Sequence, residues 1–392
     1  MTSEWNHFAL GEITELVIDY RGKTPKKLGG DWCKQGYRAL SAKNIKTGRI
    51  VQAETIRYID ESLYRKWMKD EVQRGDILIT SEAPFGQIFF WDSDEKIVLS
   101  QRLFCVRIKA EYDARFIYYY MTTPEFQSEL DGRATGTTVI GLRQPELMKC
   151  VIRCPEIQEQ KVIAAILSSI DAKIIANEKV NDNLQQQAAA LFSSLYDRTN
   201  TEVRFTDLIQ ILGGGTPKTG ENTYWNGNIA FFTPKDVGTP YTLITEKTIT
   251  EEGLSHCNSR LYPVNTVFVT ARGTVGKVGM SGVPMAMNQS CYALVGKETH
   301  QLLVYFYTLK AVDRLKHKAS GAVFDAITTR DFESEQIMKL SDDDAKDFLC
   351  IAEPMFQKVH NNCIENLRLS TLRDSLLPKL MSGEIDVSAV QL

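Results

Sequence analysis

The residues whose side chains are suited to chemistry do not complete a catalytic site. Gly22-Lys23-Thr24 has the end of a phosphate-binding loop, but Val17 occupies the position where such a loop requires a glycine. The run 92–96, Asp-Ser-Asp-Glu-Lys, contains the carboxylates and the lysine of a nuclease site, yet this composition is also typical of a solvated turn. Neither group therefore supports phosphoryl transfer or nuclease chemistry.

Cofactor and metal motifs are also incomplete. Gly273, Gly276 and Gly279 lie three residues apart, which fits turn glycines better than a dinucleotide-binding loop. The five histidines have no metal-binding spacing, and Cys150 and Cys154 lack the second pair that a zinc site requires. The Asn/Asp-Pro-Pro-aromatic motif typical of base-amine methyltransferases is absent. We therefore expect a binding and scaffold subunit that holds no metal or cofactor of its own.

Length and composition limit the class of protein. The 392 residues suffice for two or three domains, and a 43% hydrophobic share is ordinary for globular cores. The sequence has no apolar run long enough for a membrane span, and residues 1–10 lack the features of a signal peptide. Scattered cysteines favour reduced thiols. We expect a cytoplasmic protein that has no membrane partner.

Charge is more informative locally than globally. A net charge of −3 argues against an indiscriminate nucleic-acid binder. However, segment 21–49 contains nine Lys or Arg residues and one acid, Asp31, with Trp32 and Tyr37 between them. Such a cluster is either a solvated face or a local patch that contacts phosphates.

The longest regular pattern is a helix predicted from Pro155 to Tyr196. Pro155 is suited to a helix start, and no later Pro or Gly interrupts the segment. Its apolar residues alternate at spacings of three and four, which is the heptad pattern of a coiled-coil seam. Asn177 and Asn181 interrupt that seam, and buried asparagines of this kind fix the register of a helix pair.

A second seam of the same kind lies 185 residues further along the chain. Its interrupting residues, Asn362 and Asn366, have the heptad positions of Asn177 and Asn181. The seam itself comprises Phe348, Ala352, Met355, Val359, Asn362, Asn366, Leu369, Arg373, Leu376 and Leu380. The matched interruptions indicate that the two helices pair with one another.

The rest of the chain repeats as well, at offsets that shrink from 192 to 185 residues. The paired segments are 22–26 with 214–218, 78–80 with 268–270, 100–101 with 288–289, and 133–136 with 318–321. Each copy contains short β-type runs separated by Gly, Pro and Asn turns. A period of this length indicates a duplicated domain followed by a helix, not a solenoid.

These patterns predict an α+β architecture with two similar β-rich globular domains separated by two long helices. The predicted parts are a first domain (1–154), a central helix (155–198), a second domain (199–342) and a C-terminal helix with its tail (343–392). A pseudo-two-fold axis makes the helices an antiparallel coiled coil. A forty-residue helix spans roughly 60 Å, which suits two readers held over separated DNA half-sites.

Five features of the chain together indicate a known family. They are the Gly-x-Thr-Pro turns at 22–25 and 214–217, the strand-plus-Thr segments after Gly75-Asp76 and Val264-Asn265, Asn288-Gln289-Ser290, the helix start at 155–163, and Leu-Leu-Pro-Lys-Leu-Met-Ser-Gly-Glu-Ile at 376–385. In these features the chain resembles the specificity (S) subunit of type I restriction–modification enzymes. The first copy departs from Asn-Gln-Ser, since it has Ser100-Gln101-Arg102.

The resemblance implies a non-catalytic subunit that binds double-stranded DNA. Each globular domain would be a target recognition domain for one half of an asymmetric, bipartite sequence. The helices would set the spacing and dock two modification subunits, which would bring S-adenosylmethionine and methylate adenine. Restriction subunits, which use ATP and Mg²⁺, would join to cleave unmodified DNA.

Polar loop residues at matching places in the two copies are our candidates for DNA contact, because these side-chain types read base edges. In the first copy they are Thr24, Lys26, Lys43, Asn44, Ser81, Arg102, Arg133 and Thr137. In the second copy they are Thr216, Lys218, Lys235, Arg272, Gln289 and Lys318, with Thr328 and Arg330 from the neighbouring loop. Candidates for modification-subunit contact on the helices are Gln158, Lys161, Gln185 and Gln186.

Two other functions remain open from the sequence. One is a stand-alone nuclease or methyltransferase with its own recognition domains, against which the missing cofactor and nuclease motifs argue. The other is a structural adaptor with two protein-binding heads, which would show no sequence-selective DNA binding.

Overall fold

The computed structural model describes residues 5–136, 140–238, 240–318, 326–388 and 390. The chain folds into two compact units. Unit 1 comprises residues 1–172 and 370–392, and unit 2 comprises residues 173–369. Each of the two long helices begins in one unit and ends in the other. In the part of the chain that the structure describes, no helix has both the length and the apolar character needed to cross a membrane.

Unit 1 is built from short strands and a few short helices. Its strands are β1 (Asn6–Ala9), β2 (Thr14–Asp19), β3 (Tyr37–Leu40), β4 (Ile45–Lys46), β5 (Arg49–Ile50), β6 (Arg57–Ile59), β7 (Ile77–Thr80), β8 (Ile88–Phe90), β9 (Ile97–Leu99), β10 (Leu103–Ile108) and β11 (Val151–Cys154). Its helices are α1 (Leu10–Ile13), α2 (Glu61–Trp67), α3 (Ala114–Met121), α4 (Pro124–Arg133), α5 (Gln144–Leu147), the first part of α6 (Ile157–Tyr196) and the end of α11 (Asp342–Met381).

Two sheets dominate unit 1, one in the order β2-β10-β7-β8 and one in the order β6-β3-β9. Side chains alternate between the two faces of a strand. Ile77 and Ile79 of β7 therefore pack with the helices, whereas Leu78 packs against the β3 sheet. Burial on both faces explains the unbroken apolar run that made this strand predictable.

The segment 114–133 is helical but interrupted. It forms two helices, α3 and α4, separated at Thr122 and Thr123. Pro124 lacks the N–H that a continuous helix needs, and the Thr123 hydroxyl instead accepts the Phe126 N–H at 3.3 Å as an N-cap.

Unit 2 has the same kinds of element. Its strands are β12 (Glu202–Arg204), β13 (Ile209–Gly213), β14 (Trp225–Phe232), β15 (Tyr241–Thr242), β16 (Lys247–Ile249), β17 (Val267–Thr270), β18 (Val278–Ser281), β19 (Met285–Met287), β20 (Cys291–Gly296) and β21 (Gln336–Met338). Its helices are α7 (Phe205–Leu208), α8 (Glu251–Ser255), α9 (Gln301–Lys318), α10 (Thr329–Ser334) and most of α11 (Asp342–Met381), together with the end of α6.

The two main sheets of unit 2 repeat those of unit 1, with β15 added beside β18. The order β13-β20-β17-β18 matches β2-β10-β7-β8, and β16-β14-β19 matches β6-β3-β9. The register matches too, because Leu40 pairs with Leu99 in one unit and Phe232 pairs with Met287 in the other. The structure confirms the predicted internal repeat and the α+β class.

The helices α6 and α11 pair in antiparallel fashion within each unit, as predicted. In unit 2, the Asn177 amide donates to Asn366 Oδ1 at 2.8 Å, and the Asn362 amide donates to Asn181 Oδ1 at 2.8 Å. In unit 1, Arg373 of α11 donates to Asp171 of α6 at 2.8 Å. The four asparagines are thus bonded across the seam, and their role in fixing its register stays a prediction.

Candidate nucleic-acid interface

A lysine-bearing turn follows the central strand of the smaller sheet in each unit. In unit 1, the Asn44 side chain accepts the Ser41 N–H at 3.1 Å and holds Lys43 at the surface between them. In unit 2, the Asp236 carboxylate accepts the Thr233 N–H at 2.8 Å and holds Lys235 in the same position. The offset of 192 residues is that of the Gly-x-Thr-Pro turns, so this turn belongs to the repeat.

The turn of unit 1 forms one wall of a cavity of about 240 Å³. Its charged lining residues are Lys43, Arg57 and Arg102, all exposed. The Arg57 guanidinium lies over the Trp32 ring, 5.2 Å from its centroid. Three cations therefore border one open pocket, which suits a negatively charged ligand.

The turn of unit 2 borders an equivalent cavity of about 450 Å³. Lys235 and Lys247 line it, together with Thr274 and Asn288. The Lys247 ammonium lies 5.5 Å from the centroid of the Trp225 ring. One carboxylate is near, because Glu246 lies 3.6 Å from Lys235, but both side chains are exposed and such pairs contribute little.

The Gly-x-Thr-Pro turns are not equally crowded. A Cβ on Gly214 would lie 2.3 Å from the Asn288 carbonyl oxygen and 2.5 Å from that of Met287, whereas a Cβ on Gly22 would meet nothing within 4 Å. The Thr216 hydroxyl also donates to the Gln289 side chain. The turn of unit 2 is thus packed against the Asn-Gln-Ser segment.

Gly214→Ala is expected to destabilise unit 2 by about 2 kcal/mol, because backbone atoms cannot move aside as a flexible side chain can. Gly22→Ala, at the equivalent position, is the matched control and should change stability by less than about 0.5 kcal/mol. Urea unfolding of both variants measures the difference. Equal effects of the two substitutions would contradict this packing argument.

Three candidates of unit 1 are buried or already paired within the protein, which corrects the prediction that they contact DNA. Asn44 is fully buried, and its amide donates to Thr55 Oγ1 at 3.0 Å, because it forms the turn itself. Ser81 is 1% exposed, so its hydroxyl cannot reach a base. Arg133 is held by Glu129 at 2.9 Å, and the hydrogen bond to that carboxylate raises the pKa of its guanidinium.

The remaining candidates of unit 1 lie at the surface or in its turns. Lys26, Lys43 and Arg102 are exposed, although Arg102 lies 3.2 Å from the Glu82 carboxylate. Thr24 is partly buried, and its hydroxyl accepts the Lys27 N–H at 3.3 Å. Thr137 lies outside the described residues.

In unit 2, two candidates have structural roles. Lys318 forms an ion pair with the fully buried Glu335, which holds the end of α9. The Thr328 hydroxyl is the N-cap of α10 and accepts the Asp331 N–H at 3.4 Å. The exposed candidates are Lys218, Lys235, Arg272, Gln289 and Arg330, and Thr216 is partly buried.

The four candidates for modification-subunit contact on α6 also differ in exposure. Gln158, Lys161 and Gln186 are exposed. Gln185 is half-buried and donates to the Asn181 carbonyl oxygen at 3.2 Å, so it belongs to the helix itself. Contact of the exposed three with another subunit stays a prediction.

Sequence reasoning missed Arg57 and Lys247, which line the two equivalent cavities. The internal repeat could have identified them, because each residue lies two positions before an isoleucine and the two are 190 residues apart. That offset equals the one between the matched strands β7 and β17. Among the described residues no group of His, Cys, Asp and Glu is arranged to hold a metal ion.

Comparison with known proteins gives concordant results. A family model of the type I restriction modification DNA specificity domain matches residues 2–186 and 198–339. The type I restriction enzyme MjaIX specificity subunit of Methanocaldococcus jannaschii is 23% identical over 341 residues, which cover 80% of this chain and 78% of that protein. The EcoR124I/EcoR124II specificity subunit of Escherichia coli is 28% identical over 208 residues, which cover 49% of this chain and 50% of that protein.

A solved structure has the same fold. The type I restriction-modification system S subunit from M. genitalium superposes with a TM-score of 0.61 at 16% identity, over 96% of each chain. At this identity the match concerns the fold alone.

Proposed function

This chain belongs to the type I restriction modification DNA specificity domain family, and from that membership we propose that it is the DNA-recognition subunit of a restriction–modification complex. Unit 1 reads one half of a bipartite DNA target and unit 2 reads the other half. The two half-sites differ in sequence, so the target is asymmetric.

The observation that carries this proposal is a shared framework with different exposed or partly exposed side chains at equivalent positions. The strand orders and registers of the two units match, as described above. At equivalent positions, however, Glu82 of unit 1 corresponds to Arg272 of unit 2, and Arg102 corresponds to Ser290. Since these types present different donors and acceptors, two such surfaces favour two different base sequences.

The long helices set the separation between the half-sites and bind two modification subunits. Each helix is 40 residues long, which at 1.5 Å per residue corresponds to about 60 Å. The exposed Gln158, Lys161 and Gln186 are our candidates for that contact. Restriction subunits bind the same complex, which acts on double-stranded DNA in the cytoplasm.

The chain itself catalyses no reaction in this proposal. S-adenosylmethionine binds to the modification subunits, and ATP with Mg²⁺ binds to the restriction subunits. The contribution of this chain is to orient its partners on DNA through hydrogen bonds, ion pairs and shape.

Mapping methylated adenines in a host that expresses this chain with its modification subunit tests the proposal. The expected result is methylation confined to one asymmetric, bipartite motif.

Gln289→Ala should relax sequence preference in one half-site by about 1–3 kcal/mol and leave the other half-site unchanged. Lys66→Ala, an exposed residue of α2 outside the candidate set, is the control.

Two outcomes would overturn the proposal. Methylation or cleavage by the purified chain alone would identify a stand-alone enzyme. Absence of any sequence-selective DNA binding with the modification subunit present would identify a structural adaptor.

A further inference from the structure

Two cationic residues of each cavity occupy equivalent positions, whereas the third cation of unit 1, Arg102, corresponds to Ser290 of unit 2. Lys43 corresponds to Lys235 in the turn, and Arg57 of β6 corresponds to Lys247 of β16. Each unit therefore retains two cations that border one open pocket.

The second cation of each pair is held by the same kind of contact. Arg57 lies over Trp32 at 5.2 Å, and Lys247 lies over Trp225 at 5.5 Å. An aromatic ring beneath a cation restrains its side chain without neutralising its charge. The tryptophans thus restrain the two cations that line the pockets and leave their charges available to a ligand.

These charges have few competing partners. In the described residues, neither Lys43 nor Arg57 has a carboxylate within 4.0 Å. In unit 2, Lys235 has the exposed Glu246 at 3.6 Å, a pair that an incoming anion can displace at small cost. The pockets are therefore open to a negatively charged group.

The exchange of Arg57 for Lys247 indicates what kind of group binds there. The exchange keeps a positive charge at this position but not the planar, forked donor geometry of a guanidinium. A phosphate accepts either side chain, because both act on it as a positive charge. Phosphate is also the one group that two DNA half-sites of different sequence have in common.

We propose that each cavity binds one phosphate of the DNA backbone, through Lys43 and Arg57 in unit 1 and through Lys235 and Lys247 in unit 2. This inference rests on the proposed function, and it assigns these four residues to placing each unit on the duplex. Sequence is read by other residues. The pockets are equally occupied on target and non-target DNA.

The test uses the full chain assembled with its modification subunit. The variants are Lys43→Ala/Arg57→Ala and Lys235→Ala/Lys247→Ala, with Lys66→Ala as the control. Affinity is measured on a duplex that contains the mapped target and on one of equal length without it, between about 50 and 200 mM salt. Thermal melting of each variant reports whether it is folded.

Each double variant is expected to lose about tenfold in affinity at 0.1 M salt on both duplexes, because one phosphate contact contributes about 0.9 to the slope of log K against log salt. The slope should become shallower by about 1, and the ratio of target to non-target affinity should stay unchanged. The charge-retaining variants Arg57→Lys and Lys247→Arg should stay close to wild type.

A neutral methylphosphonate placed at successive backbone positions locates the contact. One position in each half-site should weaken the wild-type complex, and the matching double variant should be insensitive to it. A changed preference for one base pair would overturn the inference in favour of base reading. Unchanged affinity and slope would show that the pockets do not contact DNA.

Failure of the inference is distinguishable from failure of the proposed function. If the wild-type complex prefers its target and the double variants behave as wild type, only the phosphate assignment is wrong. If the wild-type complex has no preferred target, the proposed function is wrong, whatever the variants show.

Discussion

Asp76→Thr is expected to destabilise unit 1 by about 3–5 kcal/mol, the cost of leaving a buried charge without its partner. Asp76 is 1% exposed, and its carboxylate accepts both Nε and Nη2 of Arg107 at 2.9 Å. It also accepts the Gln73 N–H at 2.8 Å. Threonine removes the carboxylate while the Arg107 guanidinium, whose side chain is 17% exposed, stays in place.

Unit 2 supplies the matched control for this prediction. At the positions equivalent to Asp76 and Arg107 it has Thr266 and Val295, a pair without charge. The double variant Asp76→Thr/Arg107→Val should therefore recover most of the lost stability, because well-packed neutral groups often replace a buried ion pair without cost. Urea unfolding measures both variants. A double variant as unstable as Asp76→Thr would contradict the argument that the unpaired charge is the cause.

Asp171→Ala is expected to destabilise unit 1 by about 3 kcal/mol, since two buried or half-buried groups lose the same acceptor. Asp171 of α6 accepts Arg373 of α11 at 2.8 Å and the Tyr119 hydroxyl of α3 at 2.6 Å. Burial, together with the neighbouring Asp171 carboxylate, raises the pKa of Tyr119 well above its usual range, so its hydroxyl stays a donor. The carboxylate thus joins three helices of unit 1.

Asp374→Ala is the control, because Asp374 also pairs with Arg373 at 2.9 Å but its side chain is 65% exposed. It should cost less than about 1 kcal/mol. Hydrogen exchange of the α3 and α6 amides measures the local effect of both variants. Similar protection factors in the two variants would mean that Asp171 is only a surface partner of Arg373.

The periodic parts of this molecule were predictable from the sequence. The helices α6 and α11 follow from a heptad pattern without Pro or Gly breaks in α6, and β7 and β17 follow from apolar runs after a turn. Pro354 and Pro378 both lie within α11, where a proline in the sequence would have suggested a break. Pairing of the two helices was predictable because Asn177 and Asn362 have the same heptad position.

Individual site residues were much less predictable. Asn44 is an amide residue of the kind that reads base edges. Its side-chain oxygen, however, accepts the Ser41 N–H and so stabilises the turn that contains it. Lys318 was matched to Arg133 of the first copy, but its ammonium forms an ion pair with the buried Glu335. Arg57 was missed because its partner Trp32 is 25 residues away in sequence, and no local pattern relates the two.

The sequence by itself determined the duplication, the strand and helix classes and the antiparallel helix pair, because periodicity and repeat offsets are properties of the chain order. Only the tertiary structure decided which polar side chains form hydrogen bonds or ion pairs within the protein and which remain free at its surface. Hydrogen bonds and ion pairs join residues that are distant in the chain, and residue type alone does not reveal whether a donor already has its acceptor.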